Sequence, residues 1–249
     1  MILYNAWKVL TCREHFDAVY ATHYRGLELI VLLRALGLFR KPIIIWHHQP
    51  IITPKALWRE WLGRLFYRGF DHMFFFSQKL IKDSLQSRKA RPERMHLGHW
   101  GMDPDKEPTQ VNNALFISSG KEMRDMPTLI KAFNATGARL DIYINKQNGD
   151  VHYADIFDGM EIGDNITVNM PHEIQQKVRN AACVVICCQA TKYTVGLTTV
   201  VEALALGKPM ICSRNPQIPV DIDKEGCGIT VDYYDVEDWK NAITYIIEH

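Results

Sequence analysis

The sequence predicts an α/β protein made of two consecutive domains, each with a parallel β-sheet flanked by helices. Three observations carry this expectation. Short β-branched or aromatic runs alternate with longer segments of helical period, as repeated strand-helix-strand units require. The alternation breaks once, at the polar stretch 101–113 with its Asp-Pro-Asp-Lys-Glu-Pro run, and then restarts. The charge balance reverses across that break. Residues 1–105 carry 16 Lys/Arg against 9 Asp/Glu, a balance of +7, whereas residues 106–249 carry 13 against 19, a balance of −6. The expected domains are therefore 1–105 and 106–249, in a chain longer than one average domain of roughly 150 residues.

In the first domain the strands are expected at 18–20, 43–47, 73–76 and 95–97, separated by helical stretches at 27–38, 54–68 and 78–86. Their Ile and Phe fall on consecutive positions, so both faces of the sheet should be buried. In the second domain the apolar runs predict strands at 114–118, 140–144, 166–169, 183–188, 210–213 and 228–231. Helices are expected at 126–134, 172–181, 199–206 and 236–248. Ligands of such sheets bind at the carboxyl ends of the strands, so two of them in tandem predict a cleft between the domains.

Composition narrows the function classes. With 47% apolar residues a packed core is attainable, while 23% charged residues and a net charge of +1 exclude a disordered tail and a uniformly basic nucleic-acid coat. No nucleic-acid partner is expected. The longest uncharged apolar stretches, 29–33 and 42–46, fall short of the roughly 20 residues that cross a bilayer. The N-terminus lacks the basic start, apolar centre and cleavage site of a secretory signal, so a cytoplasmic location is the default expectation. The six cysteines show no Cys-x-x-Cys pair and read as buried, reduced thiols; neither a metal nor a disulfide is expected from them.

The clearest constellation spans 189–213: a buried strand, a polar loop 191–196, a helix read here as 197–206, Gly207-Lys208-Pro209, and another strand. Thr198 or Thr199 can cap the helix, Gly207 can end it, and Pro209 blocks its continuation. Glu202 then falls near the first turn. There its carboxylate either accepts two hydrogen bonds from a vicinal diol such as a ribose, or merely complements the helix dipole. Backbone N–H groups at Gly196 and Leu197 can meet phosphate oxygens. In the first domain, Trp46-His47-His48-Gln49-Pro50 closes a predicted strand, which puts the imidazoles at the cleft edge. Neighbours on a strand point opposite ways, so at most one of the two faces a ligand. Zinc is not expected there, because no Cys or carboxylate lies at ligand spacing. Finally, Leu57, Trp58, Trp61, Leu62, Leu65 and Phe66 form an apolar stripe with Arg59, Arg64 and Arg68 on other faces. Such a helix can rest on an anionic membrane surface, and it is equally what a core helix beside a parallel sheet looks like.

At these residues the chain resembles the retaining GT-B glycosyltransferases of family 4. The resemblance rests chiefly on Gly196-Leu197-Thr198-Thr199-Val200-Val201-Glu202-Ala203-Leu204-Ala205-Leu206-Gly207-Lys208-Pro209, which is similar to that family's donor-site segment. Phe116-Ile117-Ser118-Ser119-Gly120-Lys121, Arg124 and the 128–133 run resemble the strand, basic loop and helix that open its C-terminal domain. Segments 180–185 and 226–228 also fall where the family has comparable features.

The resemblance implies a GT-B fold, two Rossmann-like domains facing a cleft, with an N-terminal domain that is incomplete. It implies a nucleotide-diphosphate sugar as donor, a glycan or lipid-linked acceptor, retention of configuration, and no cofactor or metal besides the donor. A lipid-linked acceptor would suit peripheral contact with the inner membrane surface. Glu202 would hold the ribose hydroxyls. Lys121 and Arg124 would neutralise the diphosphate, together with the helix start at Gly196, Leu197 and Thr198, and Gly120 and Thr194 would line the donor site. His47 or His48 would stand near the reacting sugar. The 120–125 loop by itself, without the resemblance, reads rather as a solvated turn with local ion pairs.

Two departures stand out. The family pairs two glutamates separated by seven residues, and the position eight before Glu202 is Thr194. The N-terminal half also enters the fold midway, without the opening strand and its glycine-rich loop. These departures favour an alternative, a catalytically silent subunit that holds a nucleotide sugar or a partner protein. A sugar-nucleotide epimerase would need further cleft carboxylates. A dehydrogenase would need a Gly-x-Gly-x-x-Gly after a strand, and the sequence has none.

Overall fold

The computed structural model describes residues 4–53, 56–89, 91–104, 112–120, 122–144, 147–148, 151–152, 156–170 and 172–249. The chain divides into two compact units. Unit 1 is Met1–His99 with Lys192–Thr194, and unit 2 is Trp100–Thr191 with Val195–His249. The division thus falls at His99/Trp100, ahead of the expected 105/106, and a three-residue loop segment clusters with the other unit.

Unit 1 runs α1 (Tyr4–Leu10), β1 (Val19–Ala21), α2 (Glu28–Ala35), β2 (Ile43–His47), α3 (Leu57–Tyr67), β3 (His72–Phe75), α4 (Gln78–Leu85), a 3-10 turn (Pro92–Arg94) and β4 (Met95–Leu97). The strands lie in the order β1-β2-β3-β4, every pair parallel, so each connection must cross over. A helix makes the crossover after β1, β2 and β3. The amino-terminal helix α1 carries no long apolar period and was not expected. Ser77 starts α4 as its cap, accepting from the Leu80 N–H at 3.2 Å. Asp71 ties α2 to the sheet: Arg34 forks onto its carboxylate at 2.7 and 3.0 Å, and the Ile43 N–H donates to it at 2.8 Å.

Burial in this sheet is one-sided. Ile43, Ile45, Met73 and Phe75 are sealed, and such burial contributes about 1.5–3 kcal/mol per side chain. On the alternate face Ile44, Trp46 and Phe74 are only half-buried, so the expected burial on both faces does not hold here. Trp46 instead stacks on Phe74 and Phe76, with ring centroids at 5.7 and 4.8 Å, so the aromatics cover one another.

Unit 2 runs β5 (Asn112–Ser119), α5 (Met126–Thr136), β6 (Arg139–Tyr143), the short antiparallel pair β7 (Gln147–Asn148) and β8 (Val151–His152), β9 (Ile166–Asn169), α6 (Ile174–Asn180), β10 (Ala181–Ile186), α7 (Leu197–Ala205), β11 (Met210–Ser213), β12 (Gly228–Val231) and α8 (Val236–Glu248). Its main sheet is parallel throughout, in the order β12-β11-β10-β5-β6-β9. The chain enters at β5, builds outward through β6 and β9, then returns to β10 and builds the other way. The strand order therefore reverses between β5 and β10. Here the central strands β10 and β11 are buried on both faces, while the edge strand β9 leaves Thr167 and Val168 exposed. One core joins Phe116, Leu129, Phe133, Leu140, Val185, Trp239 and Ile243; a second joins Ile117, Val184, Ile186, Val200, Ala203 and Met210. These are two-sided layers of a doubly wound sheet, in which Ile117 and Phe116 alternate by strand period.

Candidate functional site

The reversal of strand order in unit 2 opens a crevice at the carboxyl ends of β5 and β10, the place where doubly wound sheets bind ligands. The loop after β5 begins at Gly120, whose φ of +101° is left-handed; a Cβ there would come within 2.3 Å of Arg124 Nη2. The glycine therefore makes room for the guanidinium. Arg124 itself is only 7% exposed. Its Nη1 donates to Cys188 Sγ at 2.9 Å, and its Nη2 donates to the Ser119 carbonyl at 2.9 Å and to Thr199 Oγ1 at 3.3 Å. Its Nε is buried without a partner. Among the described residues no carboxylate lies within ion-pair distance of it; the adjacent Asp125 turns its carboxylate to cap α5, accepting from the Thr128 N–H at 3.3 Å. A buried cation held only by neutral acceptors is costly unless an anion completes its shell.

The amino terminus of α7 meets the same group. Gly196 is its cap residue, with φ +88°, and a Cβ on it would lie 2.8 Å from Ile186 Cγ2 and 3.9 Å from Arg124 Nη1. The first ladder bond runs from the Val200 N–H to the Gly196 carbonyl. The N–H groups of Gly196, Leu197, Thr198 and Thr199 thus precede the intrahelical ladder and carry the positive end of the helix dipole. Leu197 is buried and Thr198 exposed.

Two expectations are corrected here. Neither Thr198 nor Thr199 caps the helix, because the left-handed Gly196 ends the loop two residues earlier than the Thr199 start. Glu202 accordingly sits in the second turn, not near the first. It lines a cavity of about 210 Å³ in unit 2 together with Met102, Asp103, Ile174, Gln175 and Leu206. Burial raises its carboxyl above the ordinary value, because it disfavours the charged form. The carboxyl end of α7 follows the sequence expectation: Gly207, at φ +60°, donates to Leu204 O, and Lys208 N–H donates to Ala203 O. Lys121 lies outside the described residues.

In unit 1 the two histidines have different surroundings. His47 is 5% exposed, stacked on Phe75 at 4.9 Å and beside Tyr67 at 5.9 Å, with its Nε2 unpartnered. Burial, and secondarily the nearby His48, lowers it to about 4, so the ring is neutral at ordinary pH. His48 is the exposed one, its Nε2 at 3.2 Å from the Thr22 carbonyl. Thr194 is buried; its backbone N–H donates to the His48 carbonyl at 3.3 Å.

Sequence reasoning missed the residues that hold Arg124. Cys188 reads as a core thiol and Thr199 as a cap, and only the fold brings both to one guanidinium. Ser213 escapes as well: its hydroxyl accepts from the Cys188 N–H at 2.9 Å and donates to the Cys188 carbonyl at 3.3 Å, fixing the end of β10. Asn215 donates to the Val195 carbonyl at 3.2 Å and so fixes the approach to α7.

Residues 105–249 match the family described as glycosyl transferases group 1. No curated protein matches the sequence. Among solved structures, HepE (Alr3699) of Anabaena in complex with UDP-glucose superposes with a TM-score of 0.69 at 14% identity, over 97% of this chain and 72% of that one. A glycosyltransferase of Rickettsia africae gives 0.74 at 11% identity, over 99% and 71%. WaaG, a glycosyltransferase involved in lipopolysaccharide biosynthesis, gives 0.59 at 13% identity, over 84% and 69%. The fold is therefore GT-B, with parallel Rossmann-like sheets, and the chain belongs to the glycosyl transferases group 1 family.

Proposed function

We propose that the protein moves a sugar from a nucleotide-diphosphate sugar to a glycan or glycolipid acceptor with retention of configuration, and that unit 2 holds the donor. The observation that carries this reading is Arg124, a buried cation with no carboxylate partner among the described residues, beneath the amino terminus of α7 at the point of strand reversal. Glu202 lies three residues beyond Thr199, about 4.5 Å further along the helix at 1.5 Å per residue. Diphosphate on Arg124 and the Gly196–Thr199 N–H groups, with ribose hydroxyls on Glu202, matches that order of charges. The UDP-glucose bound to Anabaena HepE makes uridine nucleotides the first donors to try.

Glycosyl transfer builds negative charge on the departing diphosphate. A fixed guanidinium and a helix amino terminus stabilise that charge without reorganising as it develops. The departing phosphate oxygen accepts the proton of the acceptor hydroxyl that attacks from the same face, so retention needs no protein nucleophile. Of the two histidines, exposed His48 is the one we assign to the acceptor side, and His47 to the core of unit 1.

Titration calorimetry of UDP, GDP, ADP and their sugar conjugates tests the donor site. One nucleotide should bind in the micromolar range, and Glu202→Ala should weaken it at least tenfold; unchanged affinity removes Glu202 from the site. Thr194, at the position of the family's first acid, favours the second reading, a nucleotide-sugar-binding subunit without turnover. Product formation by the purified chain, with the anomeric configuration read by NMR, decides between the two.

A further inference from the structure

Helix α3 does not behave as a core helix: none of its residues is fully buried. Leu57, Trp58, Trp61 and Leu62 are 90%, 62%, 66% and 46% exposed. At 100° per residue, Arg64, Leu57, Arg68, Trp61, Leu65, Trp58 and Leu62 follow one another round one arc of about 160°, with Gly63, Phe66 and Tyr67 on the opposite side. Phe66 there packs edge-on against Tyr24 and Phe70, at 5.6 and 5.4 Å. The outward arc is thus apolar and aromatic in the middle and basic at one margin.

That basic margin opens into a cavity of about 300 Å³ lined by Arg64, Arg68, Arg88, Lys89, Arg91 and Arg94, with Tyr67 in its wall. Three of these cations are engaged within the protein. Lys89 stands 3.8 Å from Glu60 and also donates to the Ile52 carbonyl, and Arg91 stands 3.8 Å from Glu93. Arg94 Nη1 donates to the Arg68 and Phe70 carbonyls at 2.9 and 2.7 Å, and Arg94 stands near enough to Asp71 to favour its carboxylate form. Among the described residues, the side chains of Arg64, Arg68 and Arg88 have neither an ion pair nor a hydrogen bond. Arg88 is moreover held at φ +52°, a left-handed conformation that costs a non-glycine residue strain. Gly63 lets the Lys89 stem cross α3, since a Cβ there would come within 2.9 Å of it.

We propose that this face of unit 1 docks on an anionic phospholipid bilayer: Trp58, Trp61, Leu57 and Leu62 enter the interfacial layer, and the arginine-lined cavity takes a phosphate-bearing headgroup. Charge complementarity selects this occupant. An apolar face alone would suit a second copy of the chain, but six cations against three carboxylates among the described residues, Glu60, Asp71 and Glu93, would repel an identical margin and attract an anionic surface. Interfacial tryptophans beside arginines are what a surface-bound helix presents to lipid. The proposal does not rest on the sugar-transfer reading.

The test is vesicle co-sedimentation of the full chain with phosphatidylcholine alone and with phosphatidylcholine plus phosphatidylglycerol. The protein should partition onto the phosphatidylglycerol vesicles only, and less as salt shortens the reach of the charges. Arg64→Glu/Arg68→Glu and, separately, Trp58→Ser/Trp61→Ser should each lower that partition at least tenfold while leaving the circular dichroism spectrum and thermal unfolding unchanged. Exposed positions make such variants tolerable to the fold. Equal partition onto neutral vesicles, no partition at all, or full retention by either folded variant overturns the proposal. So does dimerisation in sedimentation velocity that the tryptophan variant abolishes while vesicles stay unbound, because the arc would then be a self-association surface.

Discussion

Replacing Arg124 by Met separates binding from stability. The side chain is 7% exposed and donates to three neutral acceptors, Ser119 O, Thr199 Oγ1 and Cys188 Sγ, with Nε unpartnered. Losing those three bonds, each from a charged donor, costs about 1.5–3 kcal/mol apiece. Against this, the unpaired guanidinium no longer has to be buried, and the effective penalty for a buried ion is several kcal/mol. The two terms offset, so Arg124→Met should unfold within a few degrees of the wild type or above it. Nucleotide binding should respond in the opposite way. A unit charge about 4 Å from a phosphate, at an effective dielectric constant near 20, is worth about 4 kcal/mol, and desolvation removes part of that. A net loss of about 2–4 kcal/mol corresponds to roughly thirtyfold to a thousandfold weaker binding. Calorimetry with the nucleoside diphosphate that binds the wild type, alongside differential scanning calorimetry, measures both. Unchanged affinity with a markedly lowered midpoint would refute the reasoning, since Arg124 would then be a strut and not an anion receptor.

Other outcomes follow from the same structure. His47 is neutral when folded, at about 4, and is protonated near its ordinary 6.5 when unfolded, so the unfolded chain binds the extra proton between those limits. Stability should rise with pH from about 4 to 6.5, by about 3 kcal/mol over the window, and His47→Phe should flatten that part of a urea-unfolding profile. Gly120→Ala places a Cβ within 2.3 Å of Arg124 Nη2 and adds left-handed strain of about 1–2 kcal/mol. It should weaken nucleotide binding at least tenfold, and wild-type affinity by calorimetry would contradict the assigned role of the glycine. Among the thiols, exposed Cys12 should react with Ellman's reagent at once, whereas Cys183, Cys187, Cys188 and Cys212 should react only on unfolding. Burial pushes all four upward, Cys183 to about 12, and half-buried Cys227 is raised as well and should react more slowly than Cys12; Cys12→Ser should therefore abolish the fastest phase.

Most elements are legible in the sequence because their cause is local. The strands 43–47, 95–97, 166–169, 210–213 and 228–231 and the helix 236–248 appear where apolar periodicity puts them. The punctuation at Gly207 and Pro209 ends α7 where backbone geometry demands it. The Gly196–Pro209 segment likewise points to the glycosyl transferases group 1 family, because residue types at fixed spacing within one helix are a local property. The start of α7 has two readings in the sequence, Leu197 after the polar loop and Thr199 by apolar run, and the left-handed Gly196 packed against Ile186 sets it at Leu197.

What only the tertiary structure decided is which face of each element meets which neighbour. The sequence places His47 and His48 side by side, but the rings of Phe75 and Tyr67 make one a core residue. Arg124 reads as a loop cation until the return of β10 beside β5 surrounds it with Ser119, Cys188 and Thr199. The α3 stripe reads equally as core or surface, and the packing of Phe66 onto Tyr24 and Phe70 turns its tryptophans outward. Periodicity fixes that a helix has two faces; what stands opposite each face, brought there by strand order, fixes which one is wet.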